Sequence, residues 1–325
     1  MVFPGQGAQQ ARMGAGLYGV EPVFTKAMDE FFLASGDDGP LLREDWLAAE
    51  PGPLFDDCSR AQPLLFAVGY ALGVAVAARG VPITTLVGHS VGELAAAAIA
   101  GVFSIQDGAT VLAARTRAMA ATEPGGMLAV AAGFDRVREV LGADMAARGI
   151  AVAAINSPRQ TVLAGTDDAL TRARTGLSAN QIGWHPAKAR QAFHSPLCAG
   201  AATEFSEVFR QISLRAPTTP ILSTYTGRDV TDEEAVTPDF WSTQLARPVL
   251  FWAAVDDLLS SGHYLLLEAG PGGSCAALLR RHHAIRSGSS IVLPLLPAGP
   301  EKEASRSFDK AISDAVSLTE VPVGC

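Results

Sequence analysis

Short apolar runs alternate with amphipathic stretches along most of the chain. Val2-Phe3, Thr84 to Val87, Pro220 to Thr224, Leu265 to Glu268 and Ile291 to Leu295 read as strands, because short apolar runs bounded by turn residues fit buried strands. Helical periodicity marks Val23 to Phe32, Leu64 to Arg79, Ser104 to Met119, Glu204 to Ile212, Pro238 to Gln244, Phe251 to Ser261 and Cys275 to Arg281. Pro63 is expected in the first turn of its helix, where its missing N–H costs nothing, and Ser104 is expected as an N-cap. Gly36 to Gly52 reads as a polar connection. From Pro297 the charged, Ser-rich tail is expected to form a short helix (Ser307 to Ser317) and a loose terminus. Strands alternating with helices predict an α/β fold with a mostly parallel sheet flanked by helices on both faces.

The texture changes at Pro124-Gly125-Gly126. Strands are expected at Met127 to Ala132, Ile150 to Ile155, Thr161 to Ala164 and Gly183 to Ala189, with helices at Asp135 to Leu141 and Asp167 to Ser178. That β-α-β-β-α-β order is the ferredoxin-like split βαβ pattern. The expected organisation is a large subdomain (1–124 and 191–297), an inserted ferredoxin-like small subdomain (125–190) and a C-terminal tail (298–325).

A chain of 325 residues is long enough for roughly two domains. Its 48% hydrophobic and 18% charged residues fit a globular protein with a substantial core. No apolar run approaches the ~20 residues of a membrane span, and Met1 to Gly5 shows no basic leader, so a cytoplasmic protein without membrane contact is expected. Cys58, Cys198, Cys275 and Cys325 lack metal-site spacing, which points to reduced thiols and no metal. A net charge of −8 argues against nucleic-acid binding.

The candidate chemistry centres on Gly88-His89-Ser90-Val91-Gly92. This G-x-S-x-G lies between a strand and an Ala-rich helix start, the setting that puts a serine on a sharp turn. The Gly-rich loop Gly5-Gln6-Gly7 can bring backbone N–H groups close to a ligand oxygen. A serine needs a base to become a nucleophile. Of the six histidines, His89 should point elsewhere off the turn, His185 belongs to a strand, and His263 sits in an exposed loop. His282 and His283 read as part of an exposed basic helix end. His194 remains, in a loop bounded by Pro196 at the subdomain junction, where interdomain clefts place ligands. Arg115 and Arg117 face different sides of one helix, so at most one should point at a given site.

Phe3-Pro4-Gly5-Gln6-Gly7-Ala8-Gln9, Gly88-His89-Ser90-Val91-Gly92-Glu93, Arg115, Asn156-Ser157-Pro158, Ala192-Phe193-His194-Ser195-Pro196 and Glu268-Ala269-Gly270-Pro271-Gly272 occur in a telling order. In that series the chain resembles malonyl-CoA:acyl carrier protein transacylases and the acyltransferase domains of polyketide synthases. The resemblance implies a hydrolase-like α/β domain with a ferredoxin-like insert. It implies Ser90 as nucleophile and His194 as general base, then acid. The backbone N–H groups of Gln6 and Val91 would form the oxyanion hole, and Arg115 would grip the substrate's free carboxylate. Phe193, Gln62 and Asn156 would border the acyl pocket, and the Leu250 carbonyl would orient His194. Arg117 would be an ordinary exposed arginine.

Members that take malonyl tend to carry Phe before the histidine and a small aliphatic residue after the serine, as Phe193 and Val91 do here. Gln191 departs from the His common in malonyl members. The function implied is transfer of a malonyl group from coenzyme A to the phosphopantetheine thiol of an acyl carrier protein, through an acyl-serine intermediate and with no bound cofactor. The start at the first strand suggests a discrete, trans-acting member, and a domain excised from a larger synthase would look similar; a monomer in fatty acid or polyketide biosynthesis is expected. Alternatives are a serine hydrolase or thioesterase, a transferase of an unusual non-malonyl acyl group, and a carrier-binding module without catalysis. For an acidic carrier, Arg280, Arg281, His282, His283, Arg286, Arg172, Arg174 and Arg190 are candidate contacts.

Overall fold

In the computed structural model, which describes residues 1–296 and 303–320, the apolar runs form two sheets. The strands are β1 (Val2–Phe3), β2 (Leu86–Gly88), β3 (Gly126–Val130), β4 (Ala151–Ser157), β5 (Gln160–Gly165), β6 (Trp184–Pro186), β7 (Ile221–Leu222), β8 (Leu265–Glu268) and β9 (Ile291–Pro294). The larger sheet runs β7-β2-β1-β8-β9, and every pairing in it is parallel. Helices must then connect its strands, which is why those strands read as continuous apolar runs. The smaller sheet runs β4-β5-β3-β6, all antiparallel, the strand order of the ferredoxin-like pattern. Its β4 edge meets the larger unit: Val249 N–H donates to Ala153 O (2.8 Å) and Ile155 N–H to Val249 O (2.9 Å).

The helix Cys58–Ala78 forms the centre of the large core, packed against the helices Pro22–Ala34 and Val91–Ile99. It is long and apolar enough to cross a membrane, contrary to the expectation from the sequence, but most of it is buried inside the protein. It also starts earlier than Leu64. Asp57 caps it by accepting from Ser59 N–H, which places Pro63 inside the helix.

Two further expectations are corrected. The Gly36 to Gly52 connection contains a helix, Asp38–Leu47. The tail helix runs Ala304–Glu320, and Phe308, Ala311, Ile312 and Ala315 are buried in the large core. The loose terminus expected after it lies outside the described residues.

Candidate active site

Ser90 sits where β2 turns into the helix Val91–Ile99. The turn is tight because Gly92 lies against β1: a Cβ there would stand 2.2 Å from Phe3 O. Ser90 itself takes φ 56°, and His194 takes φ 60°. Only four non-glycine residues among the described ones have positive φ, a strained conformation that clusters at functional sites; two of them are this pair.

Ser90 Oγ lies 2.7 Å from His194 Nε2. On the other side of the ring, Nδ1 is 2.9 Å from Gln244 O and 3.0 Å from Arg247 O. A carbonyl only accepts, so Nδ1 carries the proton and Nε2 is left to accept from the Ser90 hydroxyl. The expected Leu250 carbonyl does not do this. It starts the helix Phe251–Ser261 by accepting from Ala254 N–H (3.2 Å). The short 3₁₀ helix Gln244–Ala246 instead converges the two carbonyls on the ring, and His194 N–H donates to Leu245 O (2.8 Å). Burial, then the nearby charges of Arg115 and His89, push the imidazole down to about 3. It is neutral at pH 7, the form a base needs.

Arg115 is buried at 2% exposure, whereas Arg117 faces solvent. Its Nε donates to Gln62 Oε1 (2.7 Å), and its Nη2 finds no hydrogen-bond partner among the described residues. The guanidinium lies 5.9 Å from the Phe205 ring centroid, and burial lowers it to about 10. Gln62 Nε2 donates in turn to Gln6 Oε1 (2.8 Å). Gln6 Nε2 lies 3.1 Å from Asp56 O and 3.3 Å from Lys188 O. One amide relay thus runs from Arg115 to the far edge of the small sheet. The main-chain N–H groups of Gln6 and Val91 donate to no protein acceptor among the described residues, and Val91 is the first residue of its helix.

These groups border a cavity of about 130 Å³ between the two sheets, lined by Gln6, Gln62, Ser90, Asn156, Phe193 and His194, with an apolar wall of Met127, Ala129, Ala154 and Val162. Arg115 stands behind Gln62, outside that lining. His89 does line it, against expectation: its Nε2 donates to Asn156 Oδ1 (2.8 Å), tying the elbow to β4. Lys188, which sequence reasoning passed over, also lines the cavity and pairs with Asp56 at 2.9 Å. No signal in the sequence pairs those two residues.

Other expected groups have structural duties. Glu268 caps the helix Ser274–Leu279, accepting from Cys275 N–H (2.9 Å) and Ala276 N–H (2.8 Å). His282 is not exposed: it is 1% accessible, bonds Asp256 Oδ1 (2.9 Å) and caps the helix His283–Arg286. Arg172 donates to Arg148 O (3.0 Å), and Arg174 lies 5.6 Å from the centre of the Trp184 ring. Among the described residues no group of three or more His, Cys, Asp or Glu converges as a metal site.

Residues 1–295 match the acyl transferase domain family. A phenolphthiocerol/phthiocerol polyketide synthase polypeptide of Mycobacterium tuberculosis is 34% identical over 281 residues, covering 86% of this chain and 18% of that protein. The chain therefore spans under a fifth of that relative's length. The acyltransferase domain from the second module of the salinomycin polyketide synthase has a TM-score of 0.87 and 34% identity, over 97% of this chain and 72% of that one. FabD from Acinetobacter baumannii has a TM-score of 0.86, covers 98% of each chain and shares the fold at 24% identity.

Proposed function

The chain belongs to the acyl transferase domain family, and on that premise we propose that it moves a malonyl group from coenzyme A to the phosphopantetheine thiol of an acyl carrier protein. Ser90 is the nucleophile. Its Oγ attacks the thioester carbonyl while His194 Nε2 takes the hydroxyl proton, a contribution typically worth about 10²–10⁴ in rate. The Gln6 and Val91 N–H groups receive the developing oxyanion, each donor typically worth about 10²–10³. Collapse of the tetrahedral adduct breaks the C–S bond, and His194 returns its proton to the departing thiolate. In the second half the carrier thiol gives its proton to His194 and attacks the ester, and Ser90 leaves as the hydroxyl.

The observation that carries the malonyl assignment is Arg115. A buried guanidinium with an unpartnered terminal nitrogen is costly, and a substrate carboxylate would satisfy it bidentately. Phe193 on the cavity wall leaves little room for an α-substituent, although one methyl is worth only about 1–3 kcal/mol of discrimination.

Intact-mass spectrometry after brief exposure to malonyl-CoA tests the reading. A persistent malonyl adduct, absent in Ser90→Ala and passed to an added carrier protein, is the expected result. Rapid release of free malonate without carrier acylation would make the protein a hydrolase. Arg115→Ala should lose malonyl loading and gain neutral acyl-CoA; unchanged malonyl kinetics would remove the carboxylate role.

A further inference from the structure

The mechanism gives no part to Glu93, a buried acid beside the nucleophile. Glu93 lies three residues beyond Ser90 on the same helix and is 1% exposed. No Lys or Arg pairs with it among the described residues. Its carboxylate instead reaches across to two other segments. Oε1 accepts from Ser223 Oγ (2.6 Å) and Gln244 Nε2 (3.3 Å). Oε2 accepts from Thr224 N–H (3.1 Å), and the Thr224 hydroxyl lies 2.9 Å away. A carboxylate this buried is expensive to keep in a scaffold unless its acceptors are used, and here every donor comes from outside its own helix.

The destination of those bonds matters. Gln244 is the residue whose carbonyl accepts His194 Nδ1–H, at 2.9 Å. Thr224 O accepts Leu250 N–H (2.6 Å), which anchors the far end of the same loop. The helix that carries Ser90 therefore also holds the loop that aims His194. We infer that Glu93 is a positioning residue for the general base: through Gln244 it locks the imidazole ring at the distance and tilt that Ser90 requires. The two halves of the dyad come from segments 104 residues apart, and this carboxylate is a direct side-chain link between the helix bearing one and the loop orienting the other. A catalytic pair works only at near-attack geometry, and a displacement of about 1 Å can cost on the order of 10²-fold.

The inference rests on the reading of Ser90 and His194 as a dyad, and its test avoids the malonyl assignment. The readout is the rate at which a fluorophosphonate probe labels Ser90 in the whole 325-residue chain, together with the His194 Nδ1–H resonance in protein carrying ¹⁵N-histidine. Glu93→Ala should slow labelling about tenfold or more and weaken or lose that resonance. Glu93→Gln, which keeps an acceptor for Thr224 N–H, should recover part of both. Gln244→Ala leaves the carbonyl in place and removes only the side-chain tether. It should shift both readouts in the same direction by less, and it serves if Glu93→Ala does not fold. Labelling within twofold of wild type in folded Glu93→Ala or Gln244→Ala, or an unchanged Nδ1–H resonance, would overturn the inference. Wild-type protein that fails to label would overturn the dyad itself, and is read before any variant is made.

Discussion

Gln62 touches both ends of the proposed anion site: it accepts from Arg115 Nε and donates to Gln6. Gln62→Ala should therefore lower the malonyl acylation rate about 10- to 100-fold, the range for losing a hydrogen bond to a charged group; single-turnover kinetics within twofold of wild type would show that the relay does not matter. His194 yields a pH prediction. With the folded imidazole held near 3, His194 itself should cause no loss of acylation between neutral pH and about 5; a loss centred near 6.5 that persists in Glu93→Gln, which removes the other buried group titrating in that range, would contradict it. Stability behaves differently. Between the ordinary value of 6.5 and about 3 the unfolded chain binds a proton that the folded state refuses, so this group's contribution to stability falls as pH drops through that window. His194→Ala should soften that acid loss, read as urea midpoints near neutral pH and at about pH 5. Side-chain identity made Ser90, His194 and Arg115 legible from the motifs. It could not show His89 turning into the cavity or the turn of 244–247 presenting two carbonyls, because both depend on backbone angles that the local pattern does not encode.

Elements were legible where apolar period and caps agree. Ser104 and Asp107 form the capping box of the helix Ile105–Ala120 that carries Arg115, as the expected N-cap required. The helix Asp38–Leu47 was missed because Gly39-Pro40 looks like a turn. Pro40 falls in the first turn of that helix, where its missing N–H is harmless. Gly39 is there for closeness, since a Cβ would stand 1.9 Å from Phe32 O of the preceding helix. The elbow has the same logic and a sharper consequence. In Gly92→Ala the new methyl meets Phe3 O, a backbone atom with no side-chain freedom to move away. The Ser90 helix must then shift off β1, at a cost of about 1–3 kcal/mol or more. Both thermal stability and fluorophosphonate labelling of Ser90 should fall. Normal labelling in a destabilised variant would mean that the elbow tolerates the shift.

At the scale of the molecule, two sheets of different kind share one cavity. The alternation of elements showed both sheets in the sequence, including the β-α-β-β-α-β order of the smaller. The bridges between them were not visible there: His89 to Asn156, Lys188 to Asp56, and β4 to Val249 join residues far apart in the chain by contacts with no periodicity. Composition, not a lack of period, hid the role of the C-terminal helix, whose charged, Ser-rich sequence looks like a solvated tail. Its apolar residues recur on one face, however, and Phe308 is 1% exposed in the core that also holds Phe3 and Met13. Arg79 secures it from outside, pairing with Asp309 at 2.7 Å and lying 5.9 Å from the centre of the Phe308 ring. Phe308→Ala should cost about 3–5 kcal/mol, as buried aromatic truncations do, read as a lower urea midpoint. Asp309→Ala breaks only an exposed pair and should cost no more than about 1 kcal/mol. Equal effects from the two would place the helix on the surface rather than in the core.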